Sequence, residues 1–117
     1  MGTGQVSKYN ARRVQVDGIT FDSIAESVRY RQLRLLEQAG EISGLRVHPR
    51  YVLFPADGEL KLRSISYVGD FEYVEKGRRV CEDVKGVETK VFRLKANLFR
   101  RLYPSVELRV VKGDRRW

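Results

Sequence analysis

SISYVGDFEYVEKGRRVCEDVKG, residues 64–86, is the stretch on which the fold turns. Ser64–Tyr73 alternates, with Ile65, Tyr67, Gly69, Phe71 and Tyr73 on one face and Ser66, Val68, Asp70 and Glu72 on the other. That period predicts a half-buried strand. Glu75-Lys76-Gly77 turns the chain, and Arg78–Lys85 returns antiparallel as a second strand. Asp70 then comes to lie beside the Asp83–Lys85 end. Asp83 and Lys85 are two residues apart, so they share a face while Val84 points away. Alone, the triplet is open to two readings. One is a salt bridge at a strand end, with Asp70 an ordinary solvent-facing acid. In the other, the carboxylates hold a divalent cation and the lysine orients a water or offsets developing negative charge. Glu82 competes with Asp83 for the ligand position. Strict alternation places Glu82 on the Val80/Val84 face, whereas a bulge would reverse the assignment; Asp83 is preferred because Lys85 must share its face.

Upstream, RVQVDGITF (13–21) alternates Val14, Val16, Ile19 and Phe21 around Asp17-Gly18, which predicts a two-residue hairpin. Helix one is expected from about Ile24 to Ala39, with Ser23 as N-cap and Gly40 past its end. Ile24, Val28, Leu35, Leu36 and Ala39 fall on one arc of about 120° and are expected to face the core. Glu26 lies off that arc, beside Tyr30, Leu33 and Glu37. Ser23-x-x-Glu26 is also a capping-box pattern, in which the glutamate serves the helix end rather than a site. Glu41–Phe54 reads as an extended connection followed by a strand around Arg50–Phe54, because Pro49 interrupts it. His48 is expected on the surface or in a turn and is given no role.

Downstream, a second helix is predicted over Lys90–Leu102. Val91, Leu94, Leu98 and Leu102 are its expected core stripe, widened by Phe92 and Phe99. Lys90, Arg93, Asn97, Arg100 and Arg101 gather on the opposite arc, which suits a phosphate backbone or simply solvent. Lys95 falls inside the apolar arc, at about 140° from Lys90. Its stem either snorkels past the core edge or carries its ammonium toward the acids after Val80, as an auxiliary site residue. Pro104 ends the helix, and Val106–Val111 makes a last strand.

The chain has 117 residues, a length for one domain. Residues 1–12 read as a flexible arm carrying Lys8, with Arg12-Arg13 at its end; residues 113–117 read as a basic tail ending in Trp117. With 23 Lys and Arg against 15 Asp and Glu, the formal charge is +8, which favours a polyanionic partner. One cysteine, Cys81, and one histidine leave no intramolecular disulfide and no Cys/His zinc site. Neither a signal peptide nor a membrane span is evident, so a cytoplasmic protein is expected. G-x-G-x-x-G, P-loop and H-E-x-x-H patterns are absent, which argues against a nucleotide cofactor and zincin chemistry.

Glu26 in a first helix, Asp70 in one strand, Asp83-Val84-Lys85 in the next and a helix after it resemble the PD-(D/E)xK nucleases. The thirteen-residue separation of Asp70 and Asp83 is similar to that in archaeal-type Holliday junction resolvases, which also carry a glutamate in the first helix. KYNARRVQVDGITFDSIAE, SYVGDFEY and EDVKG further resemble small phage proteins known only as a domain of unknown function and related to the same nucleases. The likeness runs from Lys8 to about Val111. It implies a restriction-endonuclease-like α/β fold: an αβββαβ core with a central mixed sheet flanked by helices, here preceded by an N-terminal β-hairpin. It also implies that Asp70 and Asp83 are metal ligands with the carbonyl of Val84, that Glu26 binds the metal directly or through water, and that Lys85 positions the nucleophilic water. The implied metal is Mg2+, with Mn2+ as a substitute. Gly69 stands where the motif has proline, and Asp83 is the shorter acid where many members have glutamate.

The expected function is therefore a Mg2+-dependent structure-selective endonuclease acting on four-way DNA junctions in a phage-infected or bacterial cell. Phosphate contacts would come from Lys8, Arg12, Arg13, Lys90, Arg93, Asn97, Arg100 and Arg101, and the two-fold symmetry of a junction calls for a homodimer. The competing readings are a restriction-like or transposase-type endonuclease on the same fold, and a DNA-binding protein that has lost catalysis.

Overall fold

The computed structural model describes residues 12–113. The expectations placed on Lys8 and on Trp117 lie outside those residues. Val14–Val16 (β1) and Ile19–Phe21 (β2) pair as the expected hairpin, and Asp17 and Gly18 both take the positive φ its tight turn requires. Ile24–Gln38 (α1) follows, capped by Ser23. The strands Ser43–Val47 (β3), Arg50–Phe54 (β4), Ile65–Val68 (β5), Phe71–Glu75 (β6) and Arg78–Lys85 (β7) come next. Lys90–Leu102 (α2) and Glu107–Lys112 (β8) complete the order.

The central sheet runs β3-β6-β7-β8, with β7 and β8 parallel and the other pairs antiparallel. Its order α1-β3-β6-β7-α2-β8 is the expected αβββαβ arrangement, with a two-stranded β4–β5 ribbon inserted between the first two strands. One helix packs on each face. On the first, Tyr30 and Leu33 of α1 meet Phe21, Phe71, Tyr73, Val80 and Val84. On the second, Ala96 and Phe99 of α2 meet Cys81 together with Tyr51, Leu53 and Tyr67 of the ribbon. No helix among the described residues is long and apolar enough to cross a membrane.

Five sequence expectations are corrected. The stretch 41–48 is not merely a connection, since Ser43–Val47 pairs with β6, and the strand ends only at His48, whose φ is +56°. Ser64–Tyr73 is not one strand: it breaks at Gly69-Asp70 and changes faces there, so Tyr67 packs under α2 while Phe71 and Tyr73 pack under α1. The cause is close approach. The Gly69 N–H bonds to Pro49 O, and a Cβ on Gly69 would lie 2.5 Å from Cys81 Sγ.

The third and fourth corrections concern helix faces. Leu35 is 66% exposed and Ile24 is also exposed, whereas α1 buries Ser27, Tyr30 and Leu33. Along α2, Val91 and Leu94 are each 63% exposed, Leu102 is exposed too, and the buried pair is Ala96 and Phe99. In both helices the aromatic side wins over the aliphatic one, because a ring buries more apolar surface and finds other rings across the interface. Tyr30 stacks near Phe21 and Phe71, and Phe99 near Tyr51 and Tyr67. Gly113, read as the start of the tail, is instead part of the packing: a Cβ there would meet Ala25 at 2.9 Å and Val84 at 3.1 Å.

Candidate active site

Asp70 is held by its backbone before its side chain does anything. Its N–H donates to Glu82 O at 3.0 Å, and its carbonyl accepts from His48 N at 2.9 Å. Fixed at that corner, the carboxylate reaches across to β7, where Oδ2 accepts from the backbone N–H of Val84 at 2.7 Å. Burial pushes its pKa up, and the Val84 N–H, Lys85 and His48 pull it back.

Glu82 and Asp83 leave β7 in opposite directions. Glu82 is fully buried under α1, where Arg29 binds it through two nitrogens, Nε at 2.6 Å and Nη2 at 2.9 Å. Tyr73 O–H donates to it as well, at 2.5 Å. Every oxygen of Glu82 therefore has a partner. Asp83 lies on the α2 side at 1% exposure, with Tyr67 O–H donating to Oδ2. Its Oδ1 is buried and has no hydrogen-bond donor; Lys85 Nζ stands 3.7 Å away. Burial pushes Asp83 up to about 6, even against the adjacent ammonium. β7 has no bulge at this point, so strict alternation holds and puts Asp83 on the face of Lys85 and Glu82 on the opposite one.

Lys85 Nζ also sits 4.7 Å from the centre of the Phe92 ring, a cation–π contact that ties the lysine to the first turn of α2. The exposed arc Lys90, Arg93, Asn97, Arg100 and Arg101 starts from that same turn. Arg12 and Arg13 are exposed ahead of β1. Lys95 is half-buried and makes no ion pair with Asp70 or Asp83.

Ser23 caps α1 at Glu26, and the charge of Asp70 acts on the Glu26 carboxyl. Its N–H donates to the Ser23 hydroxyl at 3.1 Å, and that hydroxyl lies 3.3 Å from Glu26 Oε2. Burial first, then the charges of Asp70 and Asp22, push its carboxyl up to about 8. Glu26 and Asp70 thus form a half-buried acidic pair, while Lys85 lies near both Asp70 and Asp83.

Three contributors were not foreseen. Tyr67 anchors Asp83 and could be suspected only from its inward parity two residues before Gly69. His48 lies near Asp70 because the chain reverses at Pro49, and Asp22 sits beside the helix cap. A charge next to an N-cap carries no sequence mark separating it from an ordinary first-turn acid.

Among the described residues, no three His, Cys, Asp or Glu side chains form a ready-made metal cage. The donor chemistry nevertheless fits a hard divalent cation: the candidate side chains offer only carboxylate oxygens, one of these is buried without a donor, and two of the carboxylates repel each other. A family model described as "Protein of unknown function (DUF1064)" matches residues 6–115. No curated protein and no solved structure matches the chain.

Proposed function

Since the chain belongs to the DUF1064 family, whose description assigns no activity, its function is inferred from the site: we propose that it is a Mg2+-dependent, structure-selective DNA endonuclease of the PD-(D/E)xK kind, cutting four-way junctions. The observation that carries this reading is the environment of Asp83. A buried carboxylate oxygen with no donor stands beside a lysine, one residue from a backbone amide gripped by a second acid. An orphaned buried oxygen is costly unless a ligand completes it.

Asp70, Asp83 and Glu26, with the Val84 carbonyl, would hold Mg2+, and Mn2+ could replace it. When bound, the metal supplies Lewis acidity toward the phosphate and a more acidic water. Lys85 orients the attacking water and offsets charge on the phosphate oxygens, while Phe92 and Asp83 fix its ammonium from two sides. The basic arc of α2, with Arg12, Arg13 and Lys8, carries the DNA backbone past this point. Contacts of that kind position a duplex without reading its sequence, which suits selection by shape. Paired cuts in a two-fold junction call for a homodimer. Incubation with labelled four-way junction, flap and plain duplex tests the substrate class: preference for the junction supports a resolvase, and equal cutting of duplex points to a restriction-like enzyme.

A further inference from the structure

On the face of the sheet away from Asp83, Arg29 and Glu82 form a buried ion pair that α1 and β7 share. We propose that this pair is a positioning device that sets Glu26 on α1 against the Asp70–Val84–Asp83 end of the sheet. The inference rests on the nuclease reading for its chemistry, but its structural content is independent of it.

The argument begins with placement. Glu26 and Arg29 are three residues apart on α1, so they are surface neighbours on one helix. Glu82 and Asp83 are adjacent on a strand, so one backbone orients both. A clamp between Arg29 and Glu82 therefore fixes the Glu26 end of the helix against the strand that carries Asp83 and Lys85. The same contact region closes at Gly113, where the backbone fills the gap between Ala25 of α1 and Val84 of β7 and donates to Lys85 O at 3.2 Å.

Stability alone is a weak reason for such a pair. A buried ion pair is often no better than well-packed apolar side chains of similar size, because both charges lose their water. What it adds is direction: a guanidinium fork on a carboxylate allows one relative placement of helix and strand. Glu82 is also joined to Tyr73 of β6, whose hydroxyl accepts from Arg109 of β8 at 3.3 Å. The clamp thus links α1 and β7, which carry Glu26, Asp83 and Lys85, to β6 and β8.

The double variant R29M/E82L removes both charges at similar volume, and it can be compared with the wild type in three measurements. Its unfolding midpoint should stay within a few degrees of wild type. In 15N-labelled protein without metal, the Val84 and Ser27 amides should shift and exchange with solvent about tenfold faster. By calorimetry, Mn2+ should bind about tenfold more weakly, the size expected when an outer-shell partner is removed. Wild-type amide behaviour in a folded double variant overturns the proposal, whatever the metal does. If the double variant does not fold, Glu82→Gln takes its place with the same expectations and the same overturning result. Should wild-type protein bind no Mn2+ and cut nothing, the nuclease reading falls, while the amides still decide whether the pair positions α1.

Discussion

Asp70 Oδ2 accepts a hydrogen bond from the backbone N–H of Val84 at 2.7 Å, so the first acid is joined to the middle residue of Asp83-Val84-Lys85. The bond crosses from the start of β6 to the end of β7 and needs only one carboxylate oxygen. The side chain therefore contributes to the sheet and keeps its other oxygen for a ligand. Structure and chemistry at this position can be separated by substitution.

Asp70→Asn retains an oxygen that can accept from Val84 and removes the negative charge. Thermal unfolding should move by no more than a few degrees, cleavage should disappear, and junction binding should be unchanged or tighter because one repulsive charge is gone. Gel-shift and cleavage assays on the same preparation check all three.

Asp83 and Glu82 should separate in opposite senses. Asp83→Asn relieves a buried charge with an unpartnered oxygen, so the fold should be as stable or more stable while cleavage is lost. Glu82→Ala leaves Arg29 without its partner in a largely buried position and should destabilise by roughly 3 kcal/mol. Chemical denaturation of the two variants beside wild type measures the contrast.

Metal-free stability should fall as pH rises. Glu26 and Asp83 have folded-state values of about 8 and about 6, against ordinary values of 4.5 and 3.8, and burial is the leading cause for both. An acid raised on folding holds its proton more tightly in the folded chain. Its contribution is complete below the unfolded value and is lost as pH climbs through the folded one. The melting temperature in EDTA should therefore drop between about pH 4 and about pH 8. Glu26→Gln should flatten the upper half of that drop, and saturating Mg2+ should oppose it by binding the ionised carboxylates.

Gly69→Ala should destabilise by about 1–3 kcal/mol, because its Cβ would meet Cys81 Sγ at 2.5 Å in a packed core. Removing the sulfur with Cys81→Ala should recover most of that loss, so a double-mutant cycle should show strong coupling. Additive losses would mean that the glycine is needed for another reason.

The sequence carried the strand-turn-strand at 64–86, both helix limits, the N-terminal hairpin and the opposite facing of Glu82 and Asp83, because each rests on a local rule: a period, a cap, a turn dipeptide or an alternation. It did not carry which part of each apolar arc is buried, although Leu98, Phe92 and Phe99 are expected on the core side of α2 and pack there. Ile24 and Leu35, like Val91 and Leu94, make a convincing stripe by period alone, and only the rings across the interface assign the core to Tyr30 and Phe99. The break at Gly69 was hidden for a similar reason, since the approach of Pro49 and Cys81 is set by parts of the chain distant in sequence. Arg29 carries no mark in the sequence that separates it from a solvent-facing charge; only the fold places Glu82 opposite it. His48, dismissed as a turn residue, does turn the chain, and in doing so it fixes the Asp70 carbonyl.

The most direct test of the account is cleavage of an end-labelled four-way junction by wild-type protein in Mg2+ or Mn2+, with Asp70→Asn as the control. The account predicts paired nicks placed symmetrically across the junction, dependent on the metal, and abolished in the control. Junction binding by wild type without any cleavage in either metal would contradict it and leave a DNA-binding protein in place of an enzyme.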